Sequence, residues 1–282
     1  MVGHMRRLLI WCRNKFHPLF LLRRSALFRA LASKASVTIR RKFRGRTVYA
    51  DAYRNLSFLM LPNSAEIDQF TRIIRILAPS SFWDIGANIG YYAWAFLSEC
   101  PGSKVVLFEP DARNIGLLRK TIGVEPIVLI EKAVSDRAGV SAFNAAEISG
   151  YTGTITPGSD GKTFIERHHG AKRSGGRLVE TTTIDETAAV QGPPDFLKID
   201  TEGADLLVLL GGLRTIRENH PAILIETIEN APEIKALLAG LDYRLFDPET
   251  LLEIGDGDRH LPNVFAVPSK RADVILGRAK IR

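Results

Sequence analysis

Two acids and a turn of small residues carry the most legible chemistry in this chain. Phe82-Trp83-Asp84-Ile85 is an apolar run holding an acid near its end. Gly86-Ala87-Asn88-Ile89-Gly90 follows as a tight turn, and the chain re-enters a helix at about Tyr91. A second apolar run, Val105-Val106-Leu107-Phe108, ends in Glu109-Pro110. Strand, glycine turn, helix, strand, acid is the opening half of a nucleotide-binding α/β unit. Glycine gives such a turn positive φ and lets backbone lie against a ligand. Glu109 comes 23 residues after Gly86, near the spacing of about 20 residues expected of an acid that binds a ribose diol.

The details favour S-adenosylmethionine over a dinucleotide. A dinucleotide turn reads G-x-G-x-x-G, and its middle glycine clears room for a pyrophosphate. Here Asn88 stands at that position. Asp84 would also repel a pyrophosphate, whereas a ligand carrying an ammonium and a sulfonium gains from it. The plainer alternative is a strand-to-helix turn that merely uses its glycines.

The elements that must position these residues can be read from periodicity. Glu66 to Leu77 places Ile67, Phe70, Ile73, Ile74 and Leu77 at helical spacing. Five core strands are expected at 82–85, 105–109, 127–131, 196–199 and 222–226, with helices at 91–98, 112–120, 205–210 and 232–239. Two last strands are expected at 243–246 and 264–267. The turn-rich link from Pro248 to Pro262 has no clear helix, which fits an antiparallel final strand. Short strands are also expected at 37–39, 47–50 and 58–61, and at 140–145 and 178–183. Alternation of strands and helices implies a seven-stranded, mostly parallel sheet with helices on both faces. Gly150 to Gly176 is a Gly/Ser-rich basic loop containing His168 and His169. Loops of that length are usually functional or disordered.

A chain of 282 residues with 45% hydrophobic content can bury a full core. Cys12 and Cys100 give neither a disulfide framework nor metal spacing. No apolar run reaches membrane-spanning length, and Arg13 cuts short the apolar stretch before it. The net charge of +7 is unevenly spread. Residues 1–46 hold 13 Lys/Arg and no Asp or Glu, while the remainder has 25 basic and 31 acidic residues. Trp11, Phe16, Phe20 and Phe28 are interspersed with the arginines. Such an arm suits an anionic membrane surface. It also suits RNA, or a helical cap packed on the body. The expected organisation is a basic arm (1–46), strands and a helix that pack on the core (47–81), a catalytic domain (82–270, with the inserted loop 150–176) and a basic tail (271–282).

With these pieces in view, the chain resembles the FkbM family of S-adenosylmethionine-dependent methyltransferases. The matching segments are Trp83 to Tyr92, Phe108-Glu109-Pro110, Ala133-Val134-Ser135-Asp136, Thr183-Ile184-Asp185 and Asn263-Val264-Phe265-Ala266. The most specific is Phe196-Leu197-Lys198-Ile199-Asp200-Thr201-Glu202-Gly203-Ala204-Asp205. The resemblance spans roughly residues 60–268. It implies a Rossmann-like class I methyltransferase that modifies hydroxyls of sugars, glycolipids or other natural products. The expected partners are therefore a small-molecule or glycan acceptor and an anionic membrane surface. The expected location is the cytoplasm, at the inner face of the membrane.

Ligands of open α/β sheets lie beyond the carboxyl ends of the strands. On that geometry Asp84 and the turn Gly86, Ala87, Asn88 and Gly90 take the methionine end. Glu109, with Pro110 beside it, takes the ribose, and Ser135 and Asp136 border the adenine. Asp200 and Glu202 face the transferred methyl, as general base or as ligands of a divalent metal ion. Their plainer reading is a helix cap and a first-turn acid. For His168 and His169 the choice lies between a solvated loop and a base delivered by a closing lid. An RNA methyltransferase and a non-catalytic S-adenosylmethionine binder remain as alternatives. Against RNA, the body is acidic and carries no Asn-Pro-Pro-Tyr or cysteine-based motif.

Overall fold

A computed structural model describes residues 36–60, 62–123, 125, 127–145, 153–154, 177–255 and 261–281. His168, His169 and residues 1–35 of the arm lie outside the described residues.

The chain enters through a hairpin, β1 (Thr38–Phe43) and β2 (Arg46–Asp51). Arg44 and Gly45, both at positive φ, form its two-residue turn, as the twist of paired strands prefers. The hairpin straddles residue 46, where the sequence divides arm from body. Asp51 then turns the chain by accepting the Tyr53 and Arg54 amides, both at 2.9 Å. A short helix follows, α1 (Leu56–Met60), where the sequence suggested a strand at 58–61. Short apolar runs do not distinguish the two periods. Tertiary contact decides here, because Phe58 packs edge-on against both rings of the Phe43–Tyr91 pair.

α2 (Ala65–Leu77) forms as its pattern dictates. Ser64 caps it by accepting the Ile67 amide, Glu66 and Asp68 fill the first turn, and the apolar stripe is buried. The core then alternates: β3 (Ser81–Ile85), α3 (Tyr91–Glu99), β4 (Lys104–Phe108), α4 (Ala112–Ile122) and β5 (Ile127–Ile130). A side sheet follows, made of β6 (Ala133–Val134), β7 (Gly139–Ala145), β8 (Gly153–Thr154) and β9 (Arg177–Thr182). The second half runs α5 (Ile184–Gln191), β10 (Phe196–Ile199), α6 (Asp205–Leu210), α7 (Leu213–Asn219), β11 (Ala222–Glu226), α8 (Ala231–Gly240), β12 (Tyr243–Phe246), β13 (Asn263–Pro268) and α9 (Ser269–Ile281). The segment expected as a basic tail is thus largely α9, which buries Ala272 and Ile275 and packs on α2.

The main sheet has seven strands in the order β12-β13-β11-β10-β3-β4-β5. All are parallel except β13, which is antiparallel to both neighbours. This is the seven-stranded, mostly parallel sheet that the sequence implied, with the expected reversed last strand. Side chains alternate between its faces. Phe82, Leu107, Phe196 and Phe265 join α2, α3 and the hairpin in one core. Trp83, Val106, Leu197, Ile199 and Ile225 join α6, α7 and α8 in the other. Among the described residues no helix is long and apolar enough to cross a membrane.

Candidate active site

β3, β4, β10 and β11 bring their carboxyl ends to one rim, and the glycine turn lies across it. Gly86 has φ +82, and a Cβ there would stand 1.9 Å from the Asp200 carbonyl oxygen. The Asp200 amide in turn donates to the Ile85 carbonyl at 3.1 Å. The turn after β3 and the turn after β10 are therefore in backbone contact, which only glycine permits. At Gly90, φ +80, a Cβ would stand 2.5 Å from the Trp94 ring.

Glu109 ties this turn to the end of β4. It is nearly fully buried. One carboxylate oxygen accepts the Asn88 amide and the other the Asp111 amide, each at 2.7 Å. Burial pushes its carboxyl up to about 8, while these two amides and Asn114 pull it back. With these three donors engaged, the carboxylate keeps one further acceptor position for a hydroxyl. Asn88 holds φ +55, and its side chain meets the Asn55 amide group at 3.4 Å. Ala87 is buried in the same turn.

The carbonyl of Pro110 accepts from Arg177 at the start of β9, at 2.8 Å. Ser135 is buried behind β6 and donates to Asp136 at 3.1 Å. Gly211 packs against the Ser135 carbonyl so closely that a Cβ would lie 2.0 Å from it.

The β10 side is a charge cluster. Lys198 faces Asp84 across the ladder, with its Nζ 3.8 Å from Asp84 and 2.9 Å from Asp200, and it lies over the Tyr92 ring at 4.2 Å. Burial works against its charge, but Asp200 and Asp84 outweigh it and raise its pKa above an ordinary lysine's. Asp84 is fully buried, and neither of its oxygens accepts a hydrogen bond of full geometry. Burial lifts it to about 6, while Lys198 and the nearby Ala93 amide hold it down. Asp205 is buried and accepts from the Thr201 amide, the Thr201 hydroxyl and the Gly203 amide at 2.9, 3.0 and 3.2 Å. Asp205 is thus the acid in the first turn of α6 and ties down the turn before it, while the N-cap position is Ala204, so neither Asp200 nor Glu202 is the helix cap. Glu202 itself sits at φ +55, a backbone strained by roughly 1–3 kcal/mol of the kind found at functional sites. Burial, then the neighbouring acids, push both Glu202 and Glu226 well above the carboxylate range.

Asp84, Asp200 and Glu202 are thus brought together. Glu109 and the glycine turn form a second group beside them, and Ser135 and Asp136 lie at the separate end of β6. Sequence reading gave no role to Asp205, Glu226 or Tyr92. Tyr92 donates to Glu66 of α2 through a short hydrogen bond, and its place directly after the glycine turn was the available signal. Thr183 and Asp185 prove to be helix caps. The Thr183 hydroxyl accepts the Glu186 amide, and Asp185 accepts the Arg214 and Thr215 amides. Among the described residues no group of three or more His, Cys, Asp or Glu is arranged to hold a metal ion.

A seven-stranded sheet with reversed last strand, a glycine turn after β3 and an acid after β4 define a class I methyltransferase. The chain belongs to the FkbM family: the profile described as the methyltransferase FkbM domain matches residues 84–246. That family uses S-adenosylmethionine. Among solved structures, the methyltransferase FkbM from Methylobacillus flagellatus KT is 18% identical with a TM-score of 0.43, over 66% of this chain and 43% of that one. The match therefore spans less than half of that protein's length. The precorrin-6y C5,15-methyltransferase from Geobacter metallireducens GS-15 is 11% identical with a TM-score of 0.34, over 66% and 77%. The SAH-bound Podospora anserina methyltransferase PaMTH1 is 12% identical with a TM-score of 0.40, over 84% and 92%. No curated protein matches the chain.

Proposed function

We propose that this protein transfers a methyl group from S-adenosylmethionine to a hydroxyl of a sugar, glycolipid or other natural product. The observation that carries the reading is the Lys198–Asp200 pair at 2.9 Å, set against the cofactor turn by the Gly86 contact. The residues suit the cofactor. Asp84, buried behind the turn with Lys198 at 3.8 Å, adds negative charge that favours a cationic ligand. Glu109 has acceptor capacity to spare for the ribose, and the Gly86–Gly90 turn is held in place by its own backbone bonds to Phe108 and Glu109. Bound S-adenosylmethionine supplies an activated methyl, so the protein's main tasks are positioning and removal of one proton.

Lys198 fixes Asp200 through Oδ2. Oδ1 is then the oxygen that accepts the acceptor's hydroxyl proton. Glu202 and Glu226, whose protons burial and then the Asp200 and Asp205 charges hold on, act as donors that orient the acceptor. No step requires a metal. The test is transfer from labelled S-adenosylmethionine to neutral sugars and glycolipids and to bulk RNA, with Asp200→Asn alongside. Label in RNA alone, or full turnover by the variant, overturns the reading.

Attachment to an anionic membrane through residues 1–46 belongs to the same proposal. What supports it is the charge of that segment and the way the hairpin divides it. Arg44 and Arg46 are bound internally, to Glu99 and Glu125. Arg40 and Lys42 are exposed on β1 and make no ion pair among the described residues.

A further inference from the structure

The rim beyond β10 and β11 holds more polar groups than a cofactor and one base require. β10 and β11 are parallel, with Lys198 opposite Leu224 and Ile199 opposite Ile225. Asp200 and Glu226 therefore follow at one level on neighbouring strands, about 4.8 Å apart in the pairing direction. β11 and β13 are antiparallel, with Glu226 directly opposite Asn263. Ladder partners project from the same face. That face is the one carrying Asp84, Lys198, Leu224 and Phe265, one position or two deeper. Asp200, Glu226 and Asn263 thus make a polar row across three adjacent strands, half-buried and open at the strand ends.

Two observations mark this row as unfinished without a ligand. The Glu226 Oε2 atom is buried and accepts no hydrogen bond. On the same face Asp84 is wholly buried with both oxygens in that condition. The charges nearby are one-sided. Asp84, Asp200, Glu202 and Glu226 gather around Lys198, whose ammonium already serves Asp84 and Asp200.

We propose that Glu226 and Asn263 form the acceptor subsite, and that it takes a neutral sugar ring through adjacent free hydroxyls and rejects phosphorylated or carboxylated acceptors. This deepens, and rests on, the hydroxyl-methylation reading above. A hydroxyl both donates and accepts. Asn263 offers an amide NH₂ and a carbonyl, and Glu226 offers carboxyl oxygens, so neighbouring hydroxyls on one ring find partners on neighbouring strands. Burial and the surrounding acids keep a proton on Glu226 and give it a donor as well. A phosphate or carboxylate would meet like charge there, and among the described residues the nearby ammonium, Lys198, is already held by Asp84 and Asp200.

The experiment uses the full chain loaded with S-adenosylhomocysteine for binding, and with labelled S-adenosylmethionine for transfer. The acceptor panel pairs neutral glycosides with the matching sugar phosphates and uronic acids. Neutral acceptors should be preferred by about tenfold or more in kcat/KM. Glu226→Ala and Asn263→Ala should raise the acceptor KM about five- to tenfold, as expected for losing a hydrogen bond. S-adenosylhomocysteine affinity and the thermal midpoint should stay at wild-type values. Transfer to a neutral hydroxyl with unchanged KM in both variants overturns the subsite and keeps the reaction. Binding of neutral glycosides that Asn263→Ala abolishes, without any transfer by the wild type, keeps the subsite and overturns the reaction. Equal use of anionic acceptors overturns the charge argument.

Discussion

The two ends of the rim are built on opposite principles. At the β4 end Glu109 has both oxygens engaged by backbone amides that belong to the turns it joins. Its geometry is set before any ligand arrives. At the β10 end Asp84, Asp200, Glu202 and Glu226 share one lysine, Glu226 keeps a buried oxygen without a donor among the described residues, and Glu202 is held in a left-handed backbone. Buried acids in that condition lower stability until something relieves them. On the reading proposed above, the first region is a finished receptacle for the cofactor, and the second is a site whose electrostatics are completed by the acceptor.

The sharpest way to break this contrast is Asp200→Asn. Turnover should fall by about 10²–10⁴, the range for a lost general base, with S-adenosylhomocysteine affinity nearly unchanged by calorimetry. A variant that loses cofactor affinity instead would assign Asp200 to the cofactor half. Glu109→Ala should behave in the opposite way. Loss of its hydrogen bonding to the ribose, worth roughly 0.5–1.5 kcal/mol for each bond plus the penalty for hydroxyls left unpaired, should weaken cofactor binding at least about tenfold. Chemical denaturation should also show lower stability, because the Asn88 and Asp111 amides lose their acceptor. Unchanged calorimetry would remove Glu109 from the site.

Titration sharpens the contrast further. An acid whose folded pKa lies above its unfolded one holds its proton more tightly when folded. The stability it contributes is complete below the unfolded pKa and is lost as pH rises through the folded one. Glu109 moves from 4.5 to about 8, and Asp84 from 3.8 to about 6. The unliganded protein should therefore melt at a lower temperature at pH 8.5 than at pH 5.5. Glu109→Gln should flatten that slope between about 4.5 and 8. A midpoint that climbs across the interval would show that these acids are ionised in the folded state. The smallest effect expected is at the periphery. Each Lys or Arg near an anionic surface contributes about 1 kcal/mol, and salt screens it. Full-length protein should sediment with anionic vesicles at low salt and release as salt rises. Arg40→Glu with Lys42→Glu should weaken that attachment and leave methyl transfer unchanged. Sedimentation that is indifferent to both salt and these substitutions would detach the hairpin from membrane binding.

Much of the cofactor half was legible in the sequence because its determinants are local. The apolar run, the turn at Gly86 and the acid at Glu109 are short-range patterns, and the Ser64 cap with the stripe of α2 is another. The reversed β13 could be read from the lack of a helix between Pro248 and Pro262. What the sequence withheld depends on distant partners. Nothing local shows that Asp205, rather than Asp200, ties down the turn after β10. Nothing near Glu226 shows that Asn263 stands opposite it. The helix at Leu56–Met60 escaped reading because Phe43 and Tyr91, on other elements, decide what Phe58 does.

The clamp beneath the site has a consequence for how the molecule forms. Asp195, just before β10, accepts from the Ser80 amide, the Ser80 hydroxyl and the Ser81 amide, and these partners lie 115 and 114 residues away in the chain. β3 and β10 are neighbours in the sheet, yet the whole first half of the domain and the side sheet come between them in sequence. Closing so long a segment carries an entropic cost before any contact rewards it, and non-local parallel pairing is slow. The contact between Gly86 and Asp200, and with it the meeting of the two halves of the rim, therefore belongs late in folding. A refolding chain should recover helical signal and the β3–β4–β5 half early, and gain the ability to bind S-adenosylhomocysteine only when that last seam closes.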